Sequence, residues 1–199
     1  MDEVVQARRQ ASIAQAAEAR LLARAADLVA DRIAERRQSG KRVSDADLPL
    51  REVALELGMA VRVSDRTIQA RMGRAWSLVE HFPATLAAWE EGAIDPGHAW
   101  AIAHAGTGIR TPENRTRYEH LALAAAAEES PARFAPIARA IAASVDPDAF
   151  TEQVAAATAE RTVRVYDLDD GLARLIADLP APLAYAIHDR LTQMATTTP

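Results

Sequence analysis

Residues 95–147 read DPGHAWAIAHAGTGIRTPENRTRYEHLALAAAAEESPARFAPIARAIAASVDP. This stretch predicts four helix starts. At each start a residue that can cap a helix stands directly before Pro. Pro is favoured at the first helical position because the N–H that it lacks has no partner there in any helix. The four pairs are Asp95-Pro96, Thr111-Pro112, Ser130-Pro131 and Asp146-Pro147. They predict helices over 96–106, 112–128, 131–144 and 147–159, and therefore a helical core over about 83–159 that includes a short helix at 83–91.

Residues 1–37 predict one long N-terminal helix, since positions 3–37 contain neither Pro nor Gly. Its larger apolar residues recur at spacings of 4, 7 and 8, which indicates one buried stripe made of Val4, Val5, Ile13, Leu21, Leu22, Leu28, Val29 and Ile33. Two interpretations stay open: the helix packs along the rest of the domain, or its free end pairs with a second copy of the chain. A polar, turn-rich break over 38–49 follows it.

Residues 161–178 change to a strand pattern, in which Val163 and Val165 alternate with polar side chains. Asp170-Gly171 is a preferred pair for a two-residue turn, and that turn would place Val165 opposite Ile176 and Asp167 opposite Arg174. A lone hairpin is marginally stable in water, so we expect it to pack on helices, including a last helix over 181–194. The fold class expected is mainly α: a single multi-helix domain over 1–199 with one C-terminal β-hairpin packed on helices.

Composition excludes several kinds of protein. The chain has 199 residues and no Cys, which excludes disulfides and thiolate metal sites. It has neither a signal peptide nor an apolar run that could cross a membrane, so we expect a cytoplasmic location and no membrane association. The net charge is −5, and residues 111–199 carry the whole acidic excess. A broad basic surface for nucleic acid is excluded, and any DNA contact must be local.

Residues 50–75, LREVALELGMAVRVSDRTIQARMGRA, resemble a helix-turn-helix within a helix pair over 50–80. A first helix with Ala54 and Gly58 precedes Ser64, a plausible N-cap for a second helix whose first turn would enter the major groove of DNA. Within residues 60–78 four arginines face only one acid. The DNA-binding candidates are Arg66, Thr67 and Gln69 for base edges or phosphates, and Arg62, Arg71 and Arg74 for the backbone.

An ordinary helical hairpin with a solvated, Arg-rich face explains the same residues. The stretch between Gly58 and Ser64 is longer than the turn of the standard motif, unless the first helix continues to Val61. The three tryptophans, which fall between residues 76 and 100, are interpreted as core rather than as a ligand cage, because burial is the usual use of an aromatic ring.

No complete catalytic site is evident. His104, Asn114 and His120 follow the order of an HNH nuclease motif, but no strand-forming run precedes Asn114, so the structural context of that motif is missing. Paired acids read as solvated surface, and the glycines are too dispersed for a phosphate loop. The sequence therefore predicts no catalytic residue, no metal and no cofactor, and favours a protein that is not an enzyme by itself.

Three stretches together resemble a known family: Val61–Ala75, residues 81–103 (HFPATLAAWEEGAIDPGHAWAIA), and residues 161–180 with RTVRVY and DGLARLIADLP. The most specific part is G-x-I-x-x-x-H-A, formed by Gly92, Ile94, His98 and Ala99. These stretches resemble the thirteen-E-twelve repeat family, an actinobacterial domain of unknown function, over about residues 10–195.

In that family the domain commonly precedes a C-terminal HNH endonuclease domain, whose catalytic and metal residues have no matching positions here. The resemblance implies an accessory DNA-binding or targeting domain, truncated or standing alone, with double-stranded DNA as its partner. The alternative is a protein-interaction or dimerisation scaffold that forms a homodimer through the N-terminal helix.

Overall fold

The computed structural model describes residues 1–39 and 48–197. Within them the chain forms nine α-helices and two strands, in the order α1 Asp2–Gln38, α2 Leu48–Val61, α3 Asp65–His81, α4 Pro83–Glu90, α5 Pro96–Gly106, α6 Pro112–Ala126, α7 Pro131–Val145, α8 Pro147–Ala159, β1 Thr162–Asp167, β2 Ala173–Asp178 and α9 Ala181–Thr197. The mainly α class, the long N-terminal helix and the C-terminal hairpin are confirmed. Most of the break predicted over 38–49 lies outside the described residues. None of the described helices is long and apolar enough to cross a membrane.

Each of the four predicted helix starts is confirmed; Asp95 and Thr111 use the expected side-chain cap, whereas Ser130 makes no side-chain capping hydrogen bond. The N–H of Asn114 donates to Thr111 Oγ1 at 3.2 Å, and Asp95 caps α5 in a reciprocal box with His98. Ser64, the predicted cap of the second helix of the pair, accepts from the Thr67 N–H at 3.2 Å. Local capping chemistry therefore fixes where these helices begin.

The chain divides into two compact units, Met1–Asp146 and Pro147–Pro199, where the sequence favoured a single domain. The first unit has two hydrophobic clusters. The larger one is built around fully buried aromatic side chains of α4, α6, α7 and the α3–α4 junction: Trp89, Tyr118, Phe134 and Phe82. The smaller one joins α1, α2 and α3 through Val29, Val53, Ala54, Ile68 and Met72. Residues of α1 contribute to both clusters.

The stripe predicted on α1 is wrong for most of its members. The face that α1 buries consists mainly of small residues, Ser12, Ala16, Ala19 and Ala23, with Val29 beyond them. Leu21 is 61% exposed and Leu28 is 43% exposed, and Val4, Val5 and Ile13 are exposed as well. Small side chains let the backbones of neighbouring helices approach closely, so in this Ala-rich chain residue size does not mark the buried side.

The hairpin of the second unit has a register one residue away from the predicted one. Val165 lies opposite Leu175, and Asp167 lies opposite Ala173. The reason is the loop: the N–H of Leu168 donates to the Leu172 carbonyl at 2.8 Å, which leaves Asp169–Gly171 as a three-residue loop. Both Asp170 and Gly171 adopt positive φ there. One added loop residue shifts the pairing of every residue after it.

Within the described residues of the second unit, the expected packing of the hairpin on helices is not seen. Every side chain of β1 except the first, and every side chain of β2, is exposed. The helix α9 likewise exposes Leu183, Ile187, Leu191 and Met194, the face that was expected to cover the strands. The ribbon is thus held by its own ladder of backbone hydrogen bonds.

Candidate nucleic-acid interface

The turn between α2 and α3 is short and well defined. The helix α2 continues through Val61, so only Arg62, Val63 and Ser64 connect the two helices. Arg62 has φ 58°, and the N–H of Val63 donates to the Gly58 carbonyl at 2.9 Å. A left-handed residue followed by this backward bond is the Schellman arrangement that ends many helices. A connection of three residues fits a helix-turn-helix.

Gly58 and Ala54 let the two helices approach each other. A Cβ at Gly58 would lie 2.5 Å from the carbonyl oxygen of Val63, a backbone atom, so a side chain there would force the turn to shift. Ala54 is fully buried in the smaller core cluster. Gly58 and Ala54 therefore lie where α3 folds back on α2. The two helices pack on α1, which is the third helix of this group.

The start of α3 points into solvent. Arg66 and Thr67 are exposed and Gln69 is half-buried, whereas Ile68 and Met72 face the core. The hydroxyl of Thr67 lies 2.8 Å from that of Ser64. The first turn of α3 thus presents polar side chains to solvent, while the opposite face of α3 packs on α1 and α2.

The six DNA-binding candidates do not form one patch. Arg62 and Arg66 are exposed and take part in no ion pair among the described residues. Arg71 instead approaches Glu18 of α1, with 3.6 Å between Nη1 and Oε1. Because Arg71 follows Arg66 by five residues, the two lie about 140° apart around the helix. Arg74 points to α5, where its Cζ lies 5.4 Å from the centroid of the Trp100 ring.

Several arginines of α1 are engaged by acids of neighbouring helices. Arg20 binds Glu90 with 2.7 Å between Nη2 and Oε2, and Arg36 binds Glu52 at 2.8 Å. Arg32 lies 3.5 Å from Glu56. Such pairs offset part of the positive charge of α1, whereas Arg62 and Arg66 take part in no ion pair among the described residues.

The G-x-I-x-x-x-H-A motif has a structural role, of which the sequence predicted only the left-handed Gly92 at the end of α4. Gly92 adopts φ 68°, and a Cβ there would lie 2.6 Å from the side chain of Arg9. Ser12 Oγ donates to the Ile94 carbonyl at 3.0 Å. His98 Nδ1 accepts from the Asp95 N–H, and its Nε2 lies 2.8 Å from the Glu129 carbonyl oxygen. Gly92 and Ile94 therefore join the α4–α5 loop to α1, and His98 joins the start of α5 to the segment between α6 and α7.

The tryptophans divide between core and surface. Trp89 is 1% exposed and stands edge-on to the half-buried Trp100, with 5.3 Å between ring centroids. The core interpretation is right for Trp89 but wrong for Trp76, which is 42% exposed and contacts the ring of His81. Trp76 turns outward because it follows the buried Ala75 by only one residue on α3.

Glu119 is a buried carboxyl that the sequence gave no reason to single out. Its Oε1 accepts from the Thr85 N–H at 2.7 Å and from Thr85 Oγ1 at 2.8 Å, in the first turn of α4. Burial raises the pKa of Glu119, and the hydrogen bonds from Thr85 oppose that rise. Glu119, which lies on α6, thus caps the first turn of α4, and this role is structural.

No metal-binding cluster occurs in the parts of the chain that the structure describes: no three His, Asp or Glu side chains come together there. His104 and His120 are exposed on α5 and α6. The H-N-H order in the sequence is therefore not accompanied by a metal-binding arrangement of these side chains.

A family model described as a domain of unknown function, DUF222, matches residues 7–199. The chain belongs to this family. No curated protein and no solved structure matches it. Membership of DUF222 supports the broader part of the resemblance, a domain of unknown function. The family description names neither DNA nor a nuclease.

Proposed function

We propose that this DUF222 chain is an accessory domain that binds duplex DNA through the start of α3. Arg66, Thr67 and Gln69 face base edges or phosphates, and Arg62 binds a backbone phosphate. One observation carries the proposal: a helix-turn-helix pair, braced by a third helix, presents two arginines that have no ion-pair partner among the described residues.

The geometry suits a recognition helix. In helix-turn-helix proteins the first helix braces the second, whose N-terminal residues reach the major groove. The N-terminus of a helix also carries a partial positive charge that attracts phosphate. Asp65, in the first turn of α3, adds one negative charge at this end. The charges of Arg62 and Arg66 outweigh it.

Arg71 and Arg74 are left out of this interface. Arg71 lies beside Glu18, and Arg74 lies against Trp100, so both guanidinium groups are turned toward neighbouring helices. The DNA-binding candidates are therefore reduced from the six that the sequence predicted to four, namely Arg62, Arg66, Thr67 and Gln69. The narrower surface makes a sharper test, because the two sets of arginines can be removed separately.

The test is the affinity for a fluorescent duplex, measured by anisotropy at fixed salt. Replacing Arg62 by Gly and Arg66 by Ala together should weaken binding about tenfold or more, since each removes a charge-assisted contact. The control removes two exposed arginines of α7, Arg133→Ala with Arg139→Ala, and so changes the net charge equally. Equal loss in both double variants would mean that only net charge matters, and the proposal would fail.

The resemblance to thirteen-E-twelve proteins suggests the context in which this chain would bind DNA. There the domain accompanies an HNH endonuclease, and a module that brings a nuclease to DNA needs duplex affinity without chemistry of its own. We infer an actinobacterial, cytoplasmic role of this kind. Plasmid nicking by the purified chain with added divalent metal would contradict it.

A second candidate function is a dimerisation scaffold, favoured by the apolar side chains that α1 leaves exposed. Leu21 and Leu28 are seven residues apart and therefore lie on nearly the same face of the helix. A second copy of the chain would cover them. Light scattering should then show a dimer that Leu21→Glu with Leu28→Glu converts to a monomer. A wild-type chain that stays monomeric at high concentration excludes this candidate.

A further inference from the structure

A hollow of about 240 Å³ lies beside α3, away from the proposed DNA interface. It is bordered by α1, α3, α4 and α5. Its polar and aromatic lining consists of Gln15, Glu18, Arg71, Arg74, Trp89 and Trp100. We refer to it as the α1–α3 hollow.

The charges of the α1–α3 hollow favour an anion. Arg71 and Arg74 are three residues apart and so project side by side from α3. Glu18 is the one carboxylate of the lining, and its 3.6 Å distance from Arg71 is long for a charge-assisted hydrogen bond. Arg74 has no carboxylate partner among the described residues and lies over the ring of Trp100. Two guanidinium groups thus have donors to spare.

Trp89 adds an unused donor to the same lining. Its side chain is 1% exposed, and within the described part of the chain its Nε1 has no hydrogen-bond partner. Buried N–H groups in native proteins nearly always have an acceptor. This nitrogen is itself closed to solvent, so an oxygen atom in the α1–α3 hollow would reach it only after the lining moves.

We propose that the α1–α3 hollow binds the phosphate monoester group of a small organic molecule. A phosphate offers three terminal oxygens: the planar guanidinium groups of Arg71 and Arg74 suit two of them, and the Trp89 N–H would suit the third once the lining moves to expose it. A carboxylate, with two oxygens, would leave one of these donors unused. This inference is independent of the DNA-binding proposal, since it uses none of the residues assigned to that surface.

A neighbouring hollow can accept the organic part of the ligand. It measures about 400 Å³, shares Arg74 and Trp100 with the α1–α3 hollow, and is lined mainly by apolar surface that includes Ala101 and Ala103. Movement of the Arg74 side chain from Trp100 onto a phosphate would join the two spaces. The ring of Trp100 would then be free to contact an apolar or flat group.

Phenyl phosphate is the probe for this site, and the readout is the NMR signal of each indole N–H. The three signals are assigned by replacing each Trp with Phe in turn. Titration should shift the signals of Trp89 and Trp100 and leave that of Trp76 in place. Phenol, which lacks the phosphate, should cause no shift, and inorganic phosphate should bind more weakly than phenyl phosphate. Absence of any shift at millimolar phenyl phosphate would overturn the proposal.

Substitutions that leave the core untouched test the donors. Arg71→Ala and Arg74→Ala should each weaken phenyl phosphate binding about tenfold or more, whereas Arg139→Ala on α7 should have no effect. Glu18→Gln should strengthen it several-fold, because it removes the negative charge beside Arg71. Affinity that survives both arginine changes would show that the ligand binds elsewhere.

A phosphate of DNA is another source of the same chemistry. In the Arg62→Gly, Arg66→Ala variant, which lacks the proposed DNA surface, a duplex should not displace phenyl phosphate from the α1–α3 hollow. Displacement in that variant would assign the hollow to nucleic acid and overturn the small-molecule inference. The two proposals can therefore fail separately.

Discussion

Arg62 has two roles, one in the backbone of the α2–α3 turn and one at its surface. Its φ of 58° lies in the left-handed region, which L-residues other than Gly seldom adopt. Its exposed guanidinium group carries part of the proposed phosphate contact. A chain that used this position for the turn alone would gain from Gly, so the presence of Arg is consistent with a use for its charge.

Substitutions at Arg62 separate the two roles. Arg62→Gly should keep or slightly raise the free energy of unfolding, whereas Arg62→Val should lower it by about 1–2 kcal/mol, because a β-branched residue fits this backbone conformation poorly. Both changes remove the same charge and should weaken DNA binding alike. Urea unfolding measures the first difference. Equal stability of the two variants would contradict the left-handed assignment.

Glu119 gives the stability of the chain a dependence on pH. Because its pKa is raised above the ordinary value of 4.5, the folded chain keeps this proton at pH values where the unfolded chain has lost it. The contribution of this group to stability is therefore full below 4.5 and declines as the pH rises through the folded pKa.

Replacing Glu119 by Gln should remove that decline. The free energy of unfolding, measured in urea between about pH 4 and 7, should fall less steeply with pH in Glu119→Gln than in the wild-type chain. Glu128→Gln, a change at an exposed position, is the control and should leave the slope unchanged. Parallel curves for Glu119→Gln and the wild type would show that the buried carboxyl does not titrate as described.

Gly58 and Gly73 form a matched pair at the scale of the helix-turn-helix. A Cβ at Gly58 meets the Val63 carbonyl, while a Cβ at Gly73, within α3, meets nothing within 4 Å. Gly58→Ala should cost about 1–3 kcal/mol, since the turn must shift. Gly73→Ala should stabilise by up to about 1 kcal/mol through helix propensity. Thermal unfolding separates them, and stabilisation by both would contradict the close approach at Gly58.

The buried face of α1 can be tested by opposite changes of size. Ala16 is fully buried, so Ala16→Leu should overpack the core and cost about 1–3 kcal/mol. Leu21 is 61% exposed, so Leu21→Ala should change stability by no more than about 0.5 kcal/mol. If the larger loss came from Leu21→Ala, the face of α1 would be the one that the sequence suggested.

Elements that are determined by neighbouring residues could be predicted from the sequence better than features that depend on contacts between distant residues. Helix starts after Asp95, Thr111, Ser130 and Asp146 all have Pro at the first position, and Asp95 and Thr111 also cap their helices, features that the sequence shows directly. The buried side of α1 depends on which neighbouring helices approach it, and these helices pack against its small residues. The hairpin register depended on one loop residue, because Asp170 and Gly171 both take positive φ within a longer loop.

At the scale of the whole molecule, the sequence predicted the α2–α3 helix pair of the first unit but not how its arginines are divided. The positions of Arg62 and Arg66 follow from the turn alone. Those of Arg71 and Arg74 depend on Glu18 and Trp100, which lie on distant parts of the chain. The α1–α3 hollow could not be anticipated for the same reason, since helices far apart in sequence form its walls.

We propose above all that the start of α3 binds phosphate groups of DNA. The most direct test is the salt dependence of duplex affinity for the wild-type chain and for the variant with Arg62→Gly and Arg66→Ala. Each phosphate contact contributes about 0.9 to the slope of log affinity against log salt concentration, so loss of both arginines should reduce that slope by about 2. An unchanged slope would contradict the assignment of this surface to DNA.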